Sequence, residues 1–165
     1  MSWGSPVEHR GTVYRSKAEA AWAIYFECAD IPFIYEPCKF ELPETASAKT
    51  ANYIPDFVLL DKAVVLEIKN GWMNDRDISK WQRFSEAYGK ACHFYVLDGY
   101  PWLHNMAYAS DDSRYLVEVE VAYKARTLYN ELELKPVRNE DKEGKFRKLP
   151  VVSVGNLSEL MKNED

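Results

Sequence analysis

Cysteine is scarce in this sequence. Cys28, Cys38 and Cys92 are odd in number, far apart and without a C-x-x-C pair, which argues against a disulfide framework or a zinc knuckle and for buried free thiols. Histidine is equally sparse: His9, His93 and His104 have no carboxylate or cysteine at motif spacing, so a Ser-His-Asp or Cys-His site lacks sequence support. No apolar run nears the roughly eighteen residues of a membrane span, and "MSWGSPVEHRG" lacks the basic-then-apolar layout of a secretory signal. A cytoplasmic protein with no membrane partner and no organic cofactor is expected. An excess of positive charge is missing too. The net charge is −5, whereas a protein that grips a long stretch of duplex usually carries a basic footprint.

What is present is apolar and aromatic. With 165 residues, 47% of them hydrophobic, the chain is long enough to bury one good core and is expected to form a single domain. Acids and bases mix along most of the chain. Just after residue 68, however, Lys69, Arg76, Lys80, Arg83 and Lys90 outnumber Asp75, Asp77 and Glu86, leaving room for a local basic surface.

The spacing of Ala18, Trp22, Tyr25 and Ala29 predicts a helix over 16–29. Ser16 with Glu19 three residues on fits a capping box at its start, and Ile31-Pro32 closes it. "FIYE" (33–36) and "KFEL" (39–42) read as short strands or a bent hairpin, and "PETASAKTAN" (43–52) as a loop. After the "NGWMNDRD" turn, Asp75 or Asp77 caps a second helix whose Ile78, Trp81, Ser85 and Tyr88 share a face, with Gly89 at its end. "ACHFYVLD" (91–98) suits a buried strand. Further on, "YLVEVEVAY" (115–123) alternates at period two and predicts a strand wet on one face, "NEDKEGK" (139–145) a charged turn, "LPVVSV" (149–154) a strand and "NLSELMK" (156–162) a short helix.

The stretch "YIPDFVLLDKAVVLEIKNG" (53–71) holds the chemistry. A reversal at Asp61-Lys62 pairs Leu60 with Ala63 and, continued outward, sets Asp56 opposite Glu67 with Cβ atoms roughly 4.5–5.5 Å apart. Lys69, two residues on, points to the same face. Phe57, Leu59, Val64, Leu66 and Ile68 make the other face apolar, while Val58, Leu60, Ala63 and Val65 keep the first apolar near the turn, as in a central sheet covered on both sides. Two opposed carboxylates beside a core repel each other. A bound divalent cation relieves this; so does a salt bridge from Lys69 to Glu67, with Asp56 closing the strand behind Pro55. Glu19 is either a helix cap or a third acidic member.

Taken together, R-S-x-x-E (Arg15, Ser16, Glu19), P-D-F (Pro55, Asp56, Phe57) and E-x-K (Glu67, Ile68, Lys69) resemble the PD-(D/E)XK nuclease superfamily, most of all its small phage-type endonucleases, among them junction-resolving ones. The resemblance covers roughly residues 15–98. It implies an α/β fold with a restriction-endonuclease-like αβββαβ core over 12–100, a mixed central sheet flanked by helices, and a C-terminal α+β extension over 101–165. It also implies that Asp56, Glu67, the Ile68 carbonyl and Glu19 ligate Mg²⁺ or Mn²⁺, and that Lys69 assists attack by water on a phosphodiester. Arg15, Lys17, Asn70, Trp72, Lys80, Gln82 and Arg83 are then the residues expected to meet DNA, although Arg83 and its neighbours on the helix are otherwise ordinary solvated side chains. Asn70 stands where junction-resolving enzymes often carry Gly, and the acidic charge also departs from them. The expectation is a metal-dependent DNA endonuclease of phage or bacterial origin, possible as a homodimer. The alternatives are an inactive nuclease-fold binding protein and a nuclease subunit that needs a DNA-binding partner.

Overall fold

The computed structural model describes residues 5–137 and 149–156. Within them the chain is mixed α/β, with three helices and three small sheets. The main sheet has the order β3-β6-β7-β8-β9, formed by Ile34–Tyr35, Phe57–Leu59, Val64–Lys69, His93–Asp98 and Asn105–Ala109. β7 and β8 are parallel and joined through α2 (Asp75–Tyr88); all other pairs in this sheet are antiparallel. β1 (Val7–His9), β2 (Thr12–Tyr14) and β10 (Lys135–Pro136) form a second sheet, and β4 (Lys39–Leu42), β5 (Ala51–Tyr53) and β11 (Val151–Val152) a third.

The alternation expected for 57–68 holds. Phe57, Leu59, Val64, Leu66 and Ile68 join Tyr95 and Leu97 in one core with α1 (Lys17–Cys28). Val58 and Val65 join Phe94, Val96 and the α2 residues Trp81, Phe84 and Tyr88 in a second core, on which Phe40, Leu42 and Tyr53 of the third sheet also pack. The register matches the expected one, Phe57 facing Leu66 and Leu59 facing Val64. The turn differs: Leu60–Lys62 form a 3-10 turn and Ala63 takes a left-handed φ of 49°. Four residues therefore separate the paired positions, because Asp-Lys has no glycine or asparagine suited to the tight two-residue turns.

α1 begins where Ser16, extended at φ −148°, accepts a hydrogen bond on its side chain from Glu19 N. Only that half of the expected capping box forms, since the Glu19 carboxylate is used elsewhere. In α2 the cap is Asn74, not Asp75 or Asp77. Its side chain accepts from Asp77 N at 2.9 Å while the Asp77 carboxylate accepts from Asn74 N at 3.3 Å, a complete capping box. Gly89 ends this helix as expected. Ile78 lies on its exposed side, and Phe84 takes the core place expected for it.

Three further expectations are corrected. "FIYE" and "KFEL" do hold short strands but form no hairpin with each other; β3 joins the main sheet and β4 the third, where it pairs with β5, which takes in the last two residues of the supposed loop. "YLVEVEVAY" is not a strand: α3 runs Val119–Glu131. Ala122, Ala125 and Tyr129 recur at helical spacing and pack towards α1, so the period that decides the element lies past the alternating valines. The β1–β2 hairpin and β9 were not expected at all. The 139–145 turn lies outside the described residues, as does all but the first residue of the 156–162 helix. Among the described residues no helix is long and apolar enough to cross a membrane.

Candidate active site

Parallel β7 and β8 end at one edge of the sheet, and antiparallel β6 begins there. Gly71 and Gly99, both at strongly positive φ, let the chain leave the two strand ends sharply. Gly99 N donates to the Lys69 carbonyl at 2.8 Å, and Gly71 N to Asp98 Oδ1 at 3.1 Å. Ligands favour such carboxyl-terminal strand edges in open α/β sheets.

Asp56 is held at this edge by its own backbone and side chain. Its carbonyl accepts from Glu36 N at 2.8 Å and its Oδ2 from Ile68 N at 2.7 Å. The β6–β7 pairing stops at Phe57 and Leu66, one step short of the expected Asp56–Glu67 pair. Because the strand ends at Phe57, the Asp56 carboxylate turns edgewise onto β7 instead of standing on Glu67's face. It thereby meets Glu19. The two carboxyl groups lie close enough to perturb each other's protonation, and Glu19 accepts hydrogen bonds from Ser16 Oγ (2.6 Å to Oε2) and Tyr35 Oη (2.7 Å to Oε1). Both acids are buried, at 6% and 8% exposure.

Glu67 and Lys69 project to the α2 side. Tyr53 Oη donates to Glu67 Oε1 at 2.7 Å. Lys69 Nζ lies 3.4 Å from Asp77 Oδ2 and 5.8 Å from the Trp81 ring centroid. Lys69 thus pairs with Asp77, and its positive charge also lowers the proton affinity of Glu67.

Burial is the main force on all three acids. It raises the Asp56 pKa well above the usual carboxylate range, the negative charges of Glu19 and Glu67 adding to the effect. It raises Glu19 against the opposing hydrogen bonds from Ser16 and Tyr35. Glu67 is pushed up to about 7, burial outweighing Tyr53 and Lys69, with Glu19 and Asp77 adding to the rise. Protons therefore neutralise this edge when no cation does. The donors are all oxygen, and their charge exceeds what Lys69 offsets, so they fit a hard divalent ion in chemistry. Among the described residues, though, no three Asp, Glu, His or Cys side chains close around one point.

The residues expected to meet DNA are dispersed. Arg15 Nε binds the buried Glu36 at 2.8 Å. Lys17, Asn70, Lys80 and Gln82 are exposed, and Trp72 is 71% exposed beside the strand edge. Arg83 is clasped to the β4–β5 connection: its Nη2 donates to the carbonyls of Pro43 (3.1 Å) and Lys49 (2.8 Å). Tyr35 and Tyr53 were not singled out beforehand, and Asp77 only as a candidate helix cap, not as a partner of Lys69. Nothing in their local sequence marks them, because each reaches its partner only through tertiary contact.

Comparison of the chain with protein-family models, with curated proteins and with solved structures finds no match.

Proposed function

We propose that the chain is a divalent-cation-dependent DNA endonuclease of the PD-(D/E)XK type, built on a restriction-endonuclease-like core. One juxtaposition carries the reading: Asp56, Glu67 and Lys69 lie along a single strand edge, with the Glu19 carboxyl of α1 near that of Asp56. The succession α1, β3, β6, β7, α2, β8, with β4 and β5 as an excursion, is the αβββαβ order and adds support.

Asp56 and Glu67, with the Ile68 carbonyl and with Glu19 directly or through water, would hold Mg²⁺ or Mn²⁺. When bound, such an ion activates water and offsets charge on the phosphodiester. Lys69 orients the attacking water or stabilises the charge that develops on phosphorus. Asp77 and Trp81 fix its ammonium before substrate arrives, and Asp77 is itself fixed as the third residue of the α2 capping box. Tyr53 and Tyr35 do the same for Glu67 and Glu19. Lys80 and Trp72, both exposed, would touch the backbone or a base of the bound strand.

The test is incubation of the purified protein with supercoiled, single-stranded and branched DNA in Mg²⁺, Mn²⁺ or EDTA. Cleavage is expected with either metal and not in EDTA; binding without cleavage under every condition would leave a non-cutting nuclease fold. The net charge of −5 favours a second reading, a nuclease subunit whose grip on DNA comes from a partner. In that case cleavage emerges only when a partner protein is added.

A further inference from the structure

Glu36 is a further buried acid beside Glu19 and Asp56, at 2% exposure. It follows directly on β3 and takes a left-handed φ of 46°, which a residue with a long side chain seldom adopts. Pro37 comes next and by itself favours an extended residue before it. A buried carboxylate on a strained backbone is costly on both counts, and such positions persist where the surroundings over-determine them, most often at functional sites.

Both ends of Glu36 are engaged with the candidate active site. Its backbone N–H donates to the Asp56 carbonyl at 2.8 Å, and its Oε2 accepts from Arg15 Nε at 2.8 Å. Arg15 is tied to the other acid: its backbone N–H donates at 3.0 Å to Tyr35 Oη, which donates to Glu19 Oε1 at 2.7 Å. Tyr35 and Glu36 thus link Asp56, Glu19 and Arg15 in one network, and the Glu36 charge is near enough to Glu19 to raise its proton affinity. Arg15 reaches out of that network. Its side chain is 48% exposed against 2% for Glu36, and a guanidinium carries several N–H groups besides the one on Nε.

We infer that Glu36 is a positioning residue: it holds Arg15 beside Glu19 and Asp56, where the guanidinium clamps a phosphate of the bound DNA strand. The inference rests on the nuclease reading above and gives that site a phosphate contact on the α1 side, whereas Lys69 serves the α2 side. An ion pair made for stability explains the arrangement less well. Arg15 is half exposed, so pairing it recovers little of what burying Glu36 loses. A planar guanidinium fixed at Nε, by contrast, presents a rigid fork of the geometry that phosphate oxygens accept.

Methylphosphonate scanning tests this. Oligonucleotides with one uncharged linkage at each successive position around the cut are bound to the full chain in EDTA, and cleavage of the same series is followed in Mg²⁺. One linkage is expected to weaken binding about tenfold when its charge is removed. Arg15→Ala should bind unmodified DNA about tenfold more weakly and erase the effect of that linkage. Glu36→Gln should weaken binding about threefold, shrink the same effect, and do nothing further in the Arg15→Ala background. Glu36→Gly, which suits the left-handed backbone, gives the same readout should Glu36→Gln fold poorly. A scan that these variants leave unchanged overturns the inference, whatever happens to the melting temperature; so does a Glu36→Gln effect that adds in full to that of Arg15→Ala. Cleavage with no linkage that depends on Arg15 removes the clamp and keeps the nuclease; a dependent linkage without cleavage does the reverse; no DNA binding in any form removes both.

Discussion

Helices α1 and α2 both carry parts of the candidate site, yet they are opposite in character. Every residue of α1 from Ala18 to Phe26 is buried, Glu19 included, because the helix lies between the main sheet and α3. α2 buries only Trp81, Phe84 and Tyr88. The acids Glu19 and Asp56 thus sit on the dry side of the strand edge, where their charge is costly, and Lys69, Asp77 and Lys80 on the wetter side. On the nuclease reading, a site that takes up a cation gains from this division, because burial makes its carboxyls resist ionisation until the cation arrives.

Breaking the dry side should show most. Trp22→Ala removes a fully buried ring whose Nε1 donates to the Gly99 carbonyl at 2.8 Å, and is expected to cost about 3–5 kcal/mol in denaturant unfolding. Glu67→Gln keeps an acceptor for Tyr53 but loses the charge; on the nuclease reading, the metal-dependent cleavage rate should fall by about 10²–10³ or more, with the fold retained by circular dichroism.

The charge division itself is sharpened by Asp56→Asn. Without divalent ions this variant should be more stable than the parent by roughly 1–2 kcal/mol near neutral pH, because the buried Asp56 carboxyl must take up a proton or carry a desolvated charge and an amide does neither; a large loss instead would mark Asp56 as a structural anchor through Ile68. The pH dependence follows the same cause. Glu67 titrates at about 7 when folded against 4.5 ordinarily, and Glu19 and Asp56 are raised as well, so the folded chain binds more protons than the unfolded one in that interval. This contribution is full below about pH 4.5 and is lost as pH rises through 7. Melting temperatures in EDTA should fall over that window, and Mn²⁺ should restore them most at the upper end.

On the wet side the effects shrink. Asn74→Ala opens the α2 capping box and should cost about 1 kcal/mol by thermal unfolding. It should also lower cleavage somewhat, through Asp77 and Lys69. Lys80→Ala should leave stability within about 0.5 kcal/mol. If Lys80 meets a phosphate, its loss should reduce the salt dependence of DNA affinity by about one unit of slope.

Reading the site in the sequence worked where spacing is enforced by the strand period. The alternation over 57–68 sorts residues between two faces, and one wrong step in register would expose a core face, so the pairing of Phe57 with Leu66 and Leu59 with Val64 was legible. The turn chemistry was not, since Asp61-Lys62 adopts a 3-10 turn without shifting that register. The segment 115–123 misled because valine alternation is local, whereas Ala122, Ala125 and Tyr129 settle on α1 as a helix. Arg83, expected at DNA, is instead engaged with the carbonyls of a loop some forty residues earlier in the chain.

By itself the sequence determined which residues are acidic, apolar or capping at fixed intervals, hence the α1 start at Ser16, the paired cores and the strand edge that carries Asp56, Glu67 and Lys69. Only the tertiary structure decided that Asp56 turns to Glu19, that Lys69 goes to Asp77, and that Tyr35 and Tyr53 hold the acids. Those partners come from segments distant in sequence and brought together by packing. Burial and hydrogen-bond geometry, absent from any local pattern, choose among them.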